Sequence, residues 1–366
     1  MYRCKNCLNA STRPRIEFNS EGVCNACQWA EEKKTLDWSV REAELKSLLQ
    51  RHSKSQGFDC VVAVSGGKDG SYVAHNLKNK YGMNPLCVTV RPPCPLDIGE
   101  RNLTSFINSG FEHIHVSVNQ NAMRVLDRIG FLEHGQGYYG WLIAIHTAVL
   151  RVAVNFGIDL IMYSEDGEVE YGGGTANKNV ATYGVDYMEK AYLNNTYKSV
   201  MEMADLPLKD RYWFEFPNEL SGLKEKFEVA HFGYFEPWDS YRNYMVAKEF
   251  CGLEELDEGV IGTFTNFAQN DQELASLHYY LMYLKFGFGR ATQDAGIEIR
   301  RGAMTREQAV NLVSIYDNCP PTDSFGSYAA YYNISMDDFH RTIDKFANKD
   351  LFSKIDGVWQ PKFLVE

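Results

Sequence analysis

The sequence predicts an α/β protein with a doubly wound, Rossmann-like parallel sheet, preceded by a cysteine-rich segment and followed by a mainly helical region. Three observations lead to this fold class. Apolar strand-like runs alternate with helix-like runs from residue 58 to residue 163, a glycine-rich turn follows the first strand, and two Cys-x-x-Cys pairs lie near the N-terminus. Alternating strands and helices are typical of a parallel sheet that is covered on both faces.

The strand-like runs that predict the sheet are 58–64, 85–90, 113–118 and 158–163, with a weaker one at 228–235. Helix-like runs are predicted at 40–52, 69–81, 99–109, 121–132 and 139–156, with weak helical character over 186–206. The last third of the chain is predicted to contain helices over 271–286, 305–316 and 335–347. Two of these begin with sequences that resemble capping boxes, Thr305-x-x-Gln308 and Ser335-x-x-Asp338.

Four of the nine cysteines form two closely spaced pairs, Cys4-x-x-Cys7 and Cys24-x-x-Cys27. This spacing is typical of a Cys₄ zinc ribbon, in which four thiolates leave no open coordination position, so we expect a structural Zn²⁺ site. Metal binding would fold a segment that is too short to bury a core of its own. Cys60 and Cys87 fall in strand-like runs and are expected to be packing residues.

The turn after the first strand carries the strongest functional signal in the chain. Two glycines allow the backbone to approach an anion closely, and the N-terminus of the following helix then presents free N–H groups to it. Lys68 adds positive charge, Ser65 and Ser71 add hydroxyl groups, and Asp69 could hold Mg²⁺. The predicted nucleotide-binding residues are Ser65, Gly66, Gly67, Lys68, Asp69, Gly70 and Ser71.

Two further features are expected at the same edge of the sheet, because ligands bind beyond the carboxyl ends of parallel strands. The backbone near Val90, at the end of the second strand, is predicted to meet the adenine edge of a nucleotide. An acidic, glycine-rich segment, 163–174, follows the last clear strand. Its crowded carboxylates predict a role with Mg²⁺ and pyrophosphate, and Glu165 or Glu168 is a candidate general base; the alternative is a solvated acidic loop.

A basic segment, 285–292, is the third candidate for chemistry. Arg290 is its most promising member, because a cation beside glycines could neutralise leaving pyrophosphate or grip an anionic substrate. The structural alternative is a helix that ends at Lys285 and is capped by Gly287.

Composition narrows the classes of function. The net charge of −11 over 366 residues argues against a broad nucleic-acid surface. We find no membrane span and no secretory signal in the sequence, and therefore expect a cytoplasmic protein. The predicted domains are a zinc ribbon at 1–34, a connecting helix at 35–56, a nucleotide-binding domain at 57–266 and a helical region at 267–366.

Residues 65–71 resemble the SGGxD[S]S pyrophosphate loop (PP-loop) of the N-type ATP pyrophosphatases. Those enzymes split ATP between the α and β phosphates and leave AMP on a substrate oxygen. Gly70 departs from the pattern, because many relatives carry serine there, whereas Ser71 fills the next hydroxyl position. The resemblance implies ATP as the nucleotide and a PP-loop domain at 57–266.

Several motifs occur together in one order, namely the cysteine pairs, residues 65–72, Gly167-Glu168-Val169-Glu170-Tyr171-Gly172-Gly173, Pro237-Trp238-Asp239 and residues 285–292. Over nearly the whole chain they resemble the N-acetyl sugar amidotransferases of bacterial surface-polysaccharide and flagellar-glycan biosynthesis. The resemblance implies conversion of a sugar acetamido group to an acetamidino group with ATP and ammonia. It also implies a separate ammonia source, a glutaminase and cyclase-like protein pair, and we expect this chain to encode no glutaminase.

Two other functions remain open at this stage. A tRNA thiolase of the PP-loop class also joins such a loop to zinc ribbons, but it needs a basic RNA-binding face and usually catalytic cysteines or an iron–sulfur site. A non-catalytic nucleotide sensor is the second alternative. The sequence leaves open which sugar and which carrier an amidotransferase would use.

Overall fold

The computed structural model describes residues 1–217 and 227–366. Its core is a sheet of order β3-β2-β1-β4-β6-β5, parallel throughout except for β5. The strands of this sheet are β1 (Cys60–Ala63), β2 (Pro85–Val90), β3 (His113–Val116), β4 (Leu160–Tyr163), β5 (Thr182–Tyr183) and β6 (Glu228–His231). The α/β fold class predicted from the sequence is confirmed.

The strand order determines where the sheet is expected to bind a ligand. The chain adds β2 and β3 on one side of β1, then crosses over and adds β4 on the other side. The order therefore reverses between β1 and β4, and the crevice outside the carboxyl ends of these two strands is where open α/β sheets bind ligands. The glycine-rich turn follows β1 and the acidic segment follows β4, so the topology brings both motifs to this crevice.

Helices cover both faces of the sheet, as the doubly wound prediction required. Alternate residues of one strand point into two different cores: Val61 belongs to the cluster that includes α6, whereas Val62 belongs to the cluster that includes α3. The helices of this part are α1 (Asn25–Lys33), α2 (Trp38–His52), α3 (Lys68–Asn79), α4 (Asp97–Asn108), α5 (Gln120–Ile129), α6 (Tyr139–Asn155), α7 (Gly167–Tyr171), α8 (Val185–Ala191), α9 (Tyr197–Ala204), α10 (Leu208–Arg211) and α11 (Ser240–Cys251).

The C-terminal region is mainly helical, as predicted, but ends in a hairpin that the sequence analysis missed. Its helices are α12 (Leu274–Phe286), α13 (Arg290–Arg300), α14 (Arg306–Tyr316), α15 (Phe325–Tyr332) and α16 (Met336–Phe346), and the hairpin strands are β7 (Phe352–Ile355) and β8 (Val358–Pro361). The capping box at Thr305 is present: its side chain accepts from the backbone N–H of Gln308. Among the described residues, no helix has the length and apolar character needed to cross a bilayer.

Three predicted boundaries differ from the structure. The strand expected over 228–235 stops at His231 and continues as a 3₁₀ turn over Phe232–Tyr234. The helix expected over 121–132 passes into a π-helical turn, Gly130–His134, which ends at Gly135 with a left-handed φ of 59°. The acidic segment, predicted as a loop, contains the short helix α7, because Asp166 caps it by accepting from the N–H of Glu168.

Candidate active site

The glycine-rich turn forms a tight connection between β1 and α3. Gly66 has a φ of +80°, and a Cβ on it would lie 2.4 Å from the backbone nitrogen of Leu103 in α4. Only glycine fits this position without moving α4. Gly67 precedes the first residue of α3, so the N–H groups of the first helical turn face the crevice beyond β1.

Gly70, the position that departs from the family pattern, also has a structural reason. A Cβ on Gly70 would lie 2.9 Å from both the Ala63 carbonyl oxygen and the Val64 Cα. The first turn of α3 therefore packs against the end of β1 with no room for a side chain. Of the two serines, Ser65 is exposed and lines the cleft, whereas Ser71 is fully buried and is absent from the cleft lining among the described residues.

Lys68 and Asp69 lie side by side at the start of α3 and form an ion pair. Lys68 is 7% exposed. The second oxygen of Asp69 accepts a hydrogen bond from the Asn243 Nδ2 at 3.0 Å. Because Asn243 is fully buried in α11, it orients the carboxylate that the sequence analysis assigned to Mg²⁺.

These residues border a cleft of about 230 Å³ that also contacts Asn102, Trp141 and Asp271. A narrower chamber of about 70 Å³ continues from the cleft past Val90 and Arg91. The carbonyl oxygen of Val90 accepts from the Trp141 Nε1 at 3.3 Å. The predicted adenine position thus lies in a chamber that adjoins the glycine-rich turn, with Trp141 forming part of the wall of both spaces.

The four carboxylates of the acidic segment do not share one environment. Three of them each accept hydrogen bonds from two or more protein residues. Asp166 accepts from two tyrosine hydroxyls, Tyr187 at 2.7 Å and Tyr192 at 3.1 Å, and Glu170 pairs with Lys33 at 2.7 Å. Glu168 forms a bidentate pair with Arg15, at 2.8 and 2.7 Å, and also accepts from the Gly174 N–H at 2.9 Å. The repulsion among these charges is relieved by the protein itself.

Glu165 is the exception. Its described partner is the hydroxyl of Tyr171, which donates to Oε1 at 3.1 Å. Burial, reinforced by the nearby Asp69 carboxylate, raises the pKa of Glu165 to about 7. A carboxyl group with a pKa near neutrality can accept and release protons under physiological conditions. Of the two candidate bases, Glu165 therefore has the suitable geometry, whereas Glu168 is occupied by Arg15.

Arg290 begins α13 and lies near the same group of residues. It pairs with Asp294 at 2.9 Å, and its guanidinium carbon lies 5.5 Å from the centroid of the Tyr171 ring. Its Nε is buried and has no partner among the described residues. Tyr171 thus contacts both Arg290 and Glu165, and Glu165 lies within electrostatic range of Lys68 and Asp69. Lys68 and Asp69 line the cleft, whereas Glu165 and Arg290 lie behind its wall.

The four N-terminal cysteines form a compact group in the folded chain. All four thiols are buried, and their sulfur atoms lie within 4.8 Å of one another, so the group could hold a metal ion. Two of the sulfur pairs, Cys4–Cys27 and Cys7–Cys24, are 3.9 and 3.6 Å apart. Tetrahedral Zn²⁺ with bonds of about 2.3 Å requires sulfur separations of about 3.8 Å, which these values fit.

The cysteine-rich segment also touches the acidic segment directly. Asn9 donates to the Tyr171 carbonyl at 3.0 Å, Asn25 donates to the Gly173 carbonyl at 2.6 Å, and Trp29 donates to Glu170 at 3.2 Å. The fold of the N-terminal segment therefore fixes the backbone of α7 and the residues after it, next to Glu165.

Sequence reasoning missed Asn243 and Tyr171 as site residues. Asn243 lies far from the loop in sequence, and no local pattern distinguishes it from other polar helix residues. Tyr171 carried a weak signal, because it lies within the acidic segment that was singled out for its carboxylates and glycines.

Parts of the chain are similar to known proteins. Residues 261–364 match the family described as "LPS biosynthesis protein WbpG-like, C-terminal domain". A 90-residue stretch is 31% identical to an uncharacterized protein of Methanocaldococcus jannaschii and covers 24% of this chain. The aligned stretch spans about a third (32%) of the length of that curated relative.

Two solved structures are similar to the chain only at a low level. One is described as a predicted subunit of tRNA methyltransferase from Methanocaldococcus jannaschii, with 14% identity, a TM-score of 0.30, and coverage of 61% of this chain and 86% of that one. The other is the U34-tRNA thiolase NcsA from Methanococcus maripaludis with its [4Fe-4S] cluster, with 17% identity, a TM-score of 0.24, and coverage of 77% and 97%. Scores this low do not establish a common fold.

Proposed function

We propose that this protein is an ATP-dependent, AMP-forming amidotransferase of surface-glycan biosynthesis, such as lipopolysaccharide or nonulosonic acid synthesis. It would convert the acetamido group of a sugar to an acetamidino group. The observation that carries the proposal is the meeting of the glycine-rich turn, Asp69 and Glu165 at the crevice between β1 and β4. The C-terminal match to an LPS biosynthesis family supports glycan synthesis as the setting.

An acetamido carbonyl is a poor electrophile, and its oxygen is a poor leaving group. In the proposed reaction the amide oxygen attacks the α-phosphorus of ATP, forming an O-adenylyl imidate and releasing pyrophosphate. Ammonia then adds to the imidate carbon, and AMP departs with the former amide oxygen. The N–H groups at the start of α3, with Lys68, hold the pyrophosphate charge, and Arg290 adds positive charge near the crevice.

Asp69 is the residue that would hold Mg²⁺, because its carboxylate borders the cleft and is oriented by Asn243. When bound, Mg²⁺ neutralises phosphate charge. Glu165 takes the proton from incoming ammonium, since its raised pKa allows proton exchange near neutral pH. Trp141 lines the cleft, where its ring is proposed to shield the adenylated intermediate from water.

Ammonia is proposed to come from a separate glutaminase and cyclase-like protein pair. Glu165 and Tyr171 line a second opening of about 190 Å³, which is separate from the nucleotide cleft and is bordered by Lys33, Trp238 and Arg300. An opening that reaches the candidate base without crossing the nucleotide cleft supports delivery from a partner. We place the reaction in the cytoplasm, where ATP is available and thiols stay reduced.

The ion in the N-terminal segment is proposed to be structural Zn²⁺. Four thiolates complete a tetrahedral site and leave no position for substrate. The ion would stabilise the fold of the segment that supports α7 through Asn9 and Asn25. Its contribution to turnover is therefore indirect.

The thiolase alternative is less well supported by the surroundings of the other cysteines. Cys60 and Cys87 are fully buried in β1 and β2, and burial raises the pKa of both thiols. Burial likewise raises the pKa of Cys94 to about 11. Thiols of this kind are poor sulfur-transfer nucleophiles at neutral pH.

The test is incubation of purified protein with ATP, Mg²⁺, ammonium and candidate acetamido sugars, followed by mass spectrometry and nucleotide analysis. The expected result is a product in which NH replaces the carbonyl oxygen, formed in equal amount with AMP. Glutamine alone is expected to support no turnover unless the partner pair is added. Sulfur incorporation into tRNA with no sugar product would favour the thiolase instead.

A further inference from the structure

A second cavity, of about 430 Å³, lies between the cysteine-rich segment and the helical C-terminal region. Its size falls in the roughly 300–1,000 Å³ range of small-molecule sites. It is lined by residues from five separate segments of the chain, including Arg13, His134, Tyr138, His278, Lys285 and Gln293. Neither the glycine-rich turn nor Asp69 borders it.

Several residues that line the cavity carry buried polar atoms that have no hydrogen-bond partner among the described residues. They are Nε and Nη1 of Arg13, Nε2 of His134, Oε1 of Gln136 and Nδ1 of His278. Buried polar groups in folded proteins are nearly always hydrogen-bonded, since leaving one unpaired is costly. Unpaired groups gathered around one cavity indicate a polar ligand that supplies the missing hydrogen bonds.

The charges lining the cavity define the sign of that ligand. The charge of Glu168 is balanced by its bidentate pair with Arg15. Lys285 donates to a neutral partner, the His134 carbonyl oxygen at 2.8 Å, and Arg13 forms no ion pair among the described residues but lies within electrostatic range of Glu168. The lining thus carries three cations, Arg13, Arg15 and Lys285, against one carboxylate, Glu168, so the cavity is suited to an anion.

Aromatic rings form the apolar part of the cavity wall. Tyr138, Phe286 and Phe288 line the cavity, and such faces pack against the apolar faces of sugar rings and bases. The ring of Tyr138 packs edge-on against Trp141, which borders the nucleotide cleft, at a centroid distance of 5.6 Å. Gln293 lies within one turn of Arg290 on α13. The cavity therefore adjoins the reaction crevice.

We propose that this cavity binds the anionic part of the sugar substrate, either a sugar carboxylate or the phosphates of its carrier, with Arg13 and Lys285 as the main contacts. The inference rests on the proposed function and deepens it, because it assigns the acceptor to a class of acidic or phosphate-linked acetamido sugars. The acetamido group would then extend from the cavity toward Arg290 and the nucleotide cleft.

The test measures binding calorimetrically with three probes. N-acetylneuraminic acid carries a carboxylate, UDP-N-acetylglucosamine carries phosphates, and N-acetylglucosamine carries neither. Titrations are run alone and with α,β-methylene ATP, which cannot be cut between the α and β phosphates. At least one charged probe is expected to bind about tenfold or more tightly than the neutral sugar, and the one that does identifies the source of the negative charge.

Variants assign the binding to the cavity. Arg13→Gln and Lys285→Met are each expected to weaken binding of the charged probe about tenfold or more. The matched controls Arg101→Gln and Lys46→Met, on exposed parts of α4 and α2, are expected to bind as the wild type does. Arg13→Lys keeps the charge and is expected to retain part of the affinity. Thermal unfolding establishes that each variant is folded.

Equal binding of all three probes, no binding of any charged probe, or unchanged binding by folded Arg13→Gln and Lys285→Met would overturn the inference. AMP formation is measured separately with ATP, ammonium and candidate acetamido sugars. Normal AMP-forming turnover without cavity binding would refute this inference alone, whereas charged-probe binding without AMP formation would refute the proposed function alone.

Discussion

The nucleotide cleft and the cationic cavity are both suited to negative charge, but they achieve this in different ways. The cleft offers backbone N–H groups from the first turn of α3, with Lys68 already paired to Asp69. The cavity offers the side chains of Arg13 and Lys285, which have no described carboxylate partner. The backbone donors belong to one local turn, whereas the cavity exists only when five separate segments of the chain are packed together.

The two sites therefore depend on different features of the chain. The cleft depends on chain geometry, because Gly66 and Gly70 leave no space for side chains. The cavity depends on the cysteine-rich segment, because Arg13 belongs to it. Loss of that segment is expected to affect both spaces, whereas point changes are expected to affect one.

Metal removal has the largest expected effect. Stripping the ion with a strong chelator, or introducing Cys24→Ser, is expected to unfold the N-terminal segment, because the four thiolates replace a hydrophobic core there. AMP-forming turnover and charged-probe binding should then both be lost, and Zn²⁺ should restore the chelated protein. Elemental analysis, activity and calorimetry are the measurements. Full activity in metal-free protein would contradict the supporting role of this segment.

Asp69→Asn tests whether the nucleotide cleft and the cationic cavity act independently. The change is expected to lower AMP formation by about 10²–10³-fold, as is typical when one charge-stabilising group is removed. Binding of the charged probe in the cavity should be unchanged, because Asp69 does not border it. Asp257→Asn, on an exposed segment, is the matched control. A parallel loss of probe binding would show that the two spaces are not independent.

Glu165→Gln and Glu168→Gln together test which carboxylate of the acidic segment is the general base. Glu165→Gln is expected to lower turnover about 10²-fold, since a general base typically contributes this much or more. Wild-type turnover should also fall as the pH drops below about 7, because protonated Glu165 cannot accept a proton. Steady-state rates across a pH series test both statements.

Glu168→Gln should instead lower the melting temperature, because it breaks the bidentate pair with Arg15. Its effect on turnover should be smaller than that of Glu165→Gln. The opposite order would mean that Glu168 is the base.

The smallest expected effect is a pH dependence of binding in the cavity. Burial lowers the pKa of Lys285 to about 8, so its charge is present near pH 7 and is lost as the pH rises through 8. The affinity for the charged probe should therefore fall several-fold between about pH 7 and about pH 9. Calorimetry at constant ionic strength measures this, and Lys285→Met should bind weakly with a flat profile.

The groups around Lys285 do not titrate in this interval. Burial lowers the pKa of His278 to about 3 and lowers that of His134, so both rings stay neutral. Burial lowers the pKa of Arg13 to about 10, so it stays charged. Glu133 is paired with Lys345 at 3.1 Å. A flat wild-type profile would count against Lys285 as an anion contact.

Much of this molecule could be predicted from sequence, and the limits are physical. The parallel sheet could be predicted because each buried strand is a contiguous apolar run. The glycine-rich turn could be predicted because its residues are adjacent in the sequence. The compact group of four cysteines could be predicted because two Cys-x-x-Cys pairs have the spacing of zinc ligands. The sequence predicted that the acidic segment is important. It did not predict that Arg15 and Lys33 neutralise Glu168 and Glu170.

The remainder depends on contacts between distant parts of the chain. Asn243 orients Asp69 only because α11 packs on α3. Arg13 and Lys285 line one cavity only because the N-terminal segment lies against the end of α12, where Thr12 donates to the Phe286 carbonyl oxygen. No periodicity or motif in one sequence encodes such meetings, which arise from the packing of whole elements.

The central claim is that a sugar amide oxygen displaces pyrophosphate from the α-phosphorus of ATP. The most direct measurement is turnover of an acetamido sugar whose carbonyl carries a heavy oxygen isotope, with mass analysis of the nucleotide products. The account predicts AMP that contains the heavy oxygen, together with unlabelled pyrophosphate. ADP and orthophosphate as products, or AMP without the label, would contradict it.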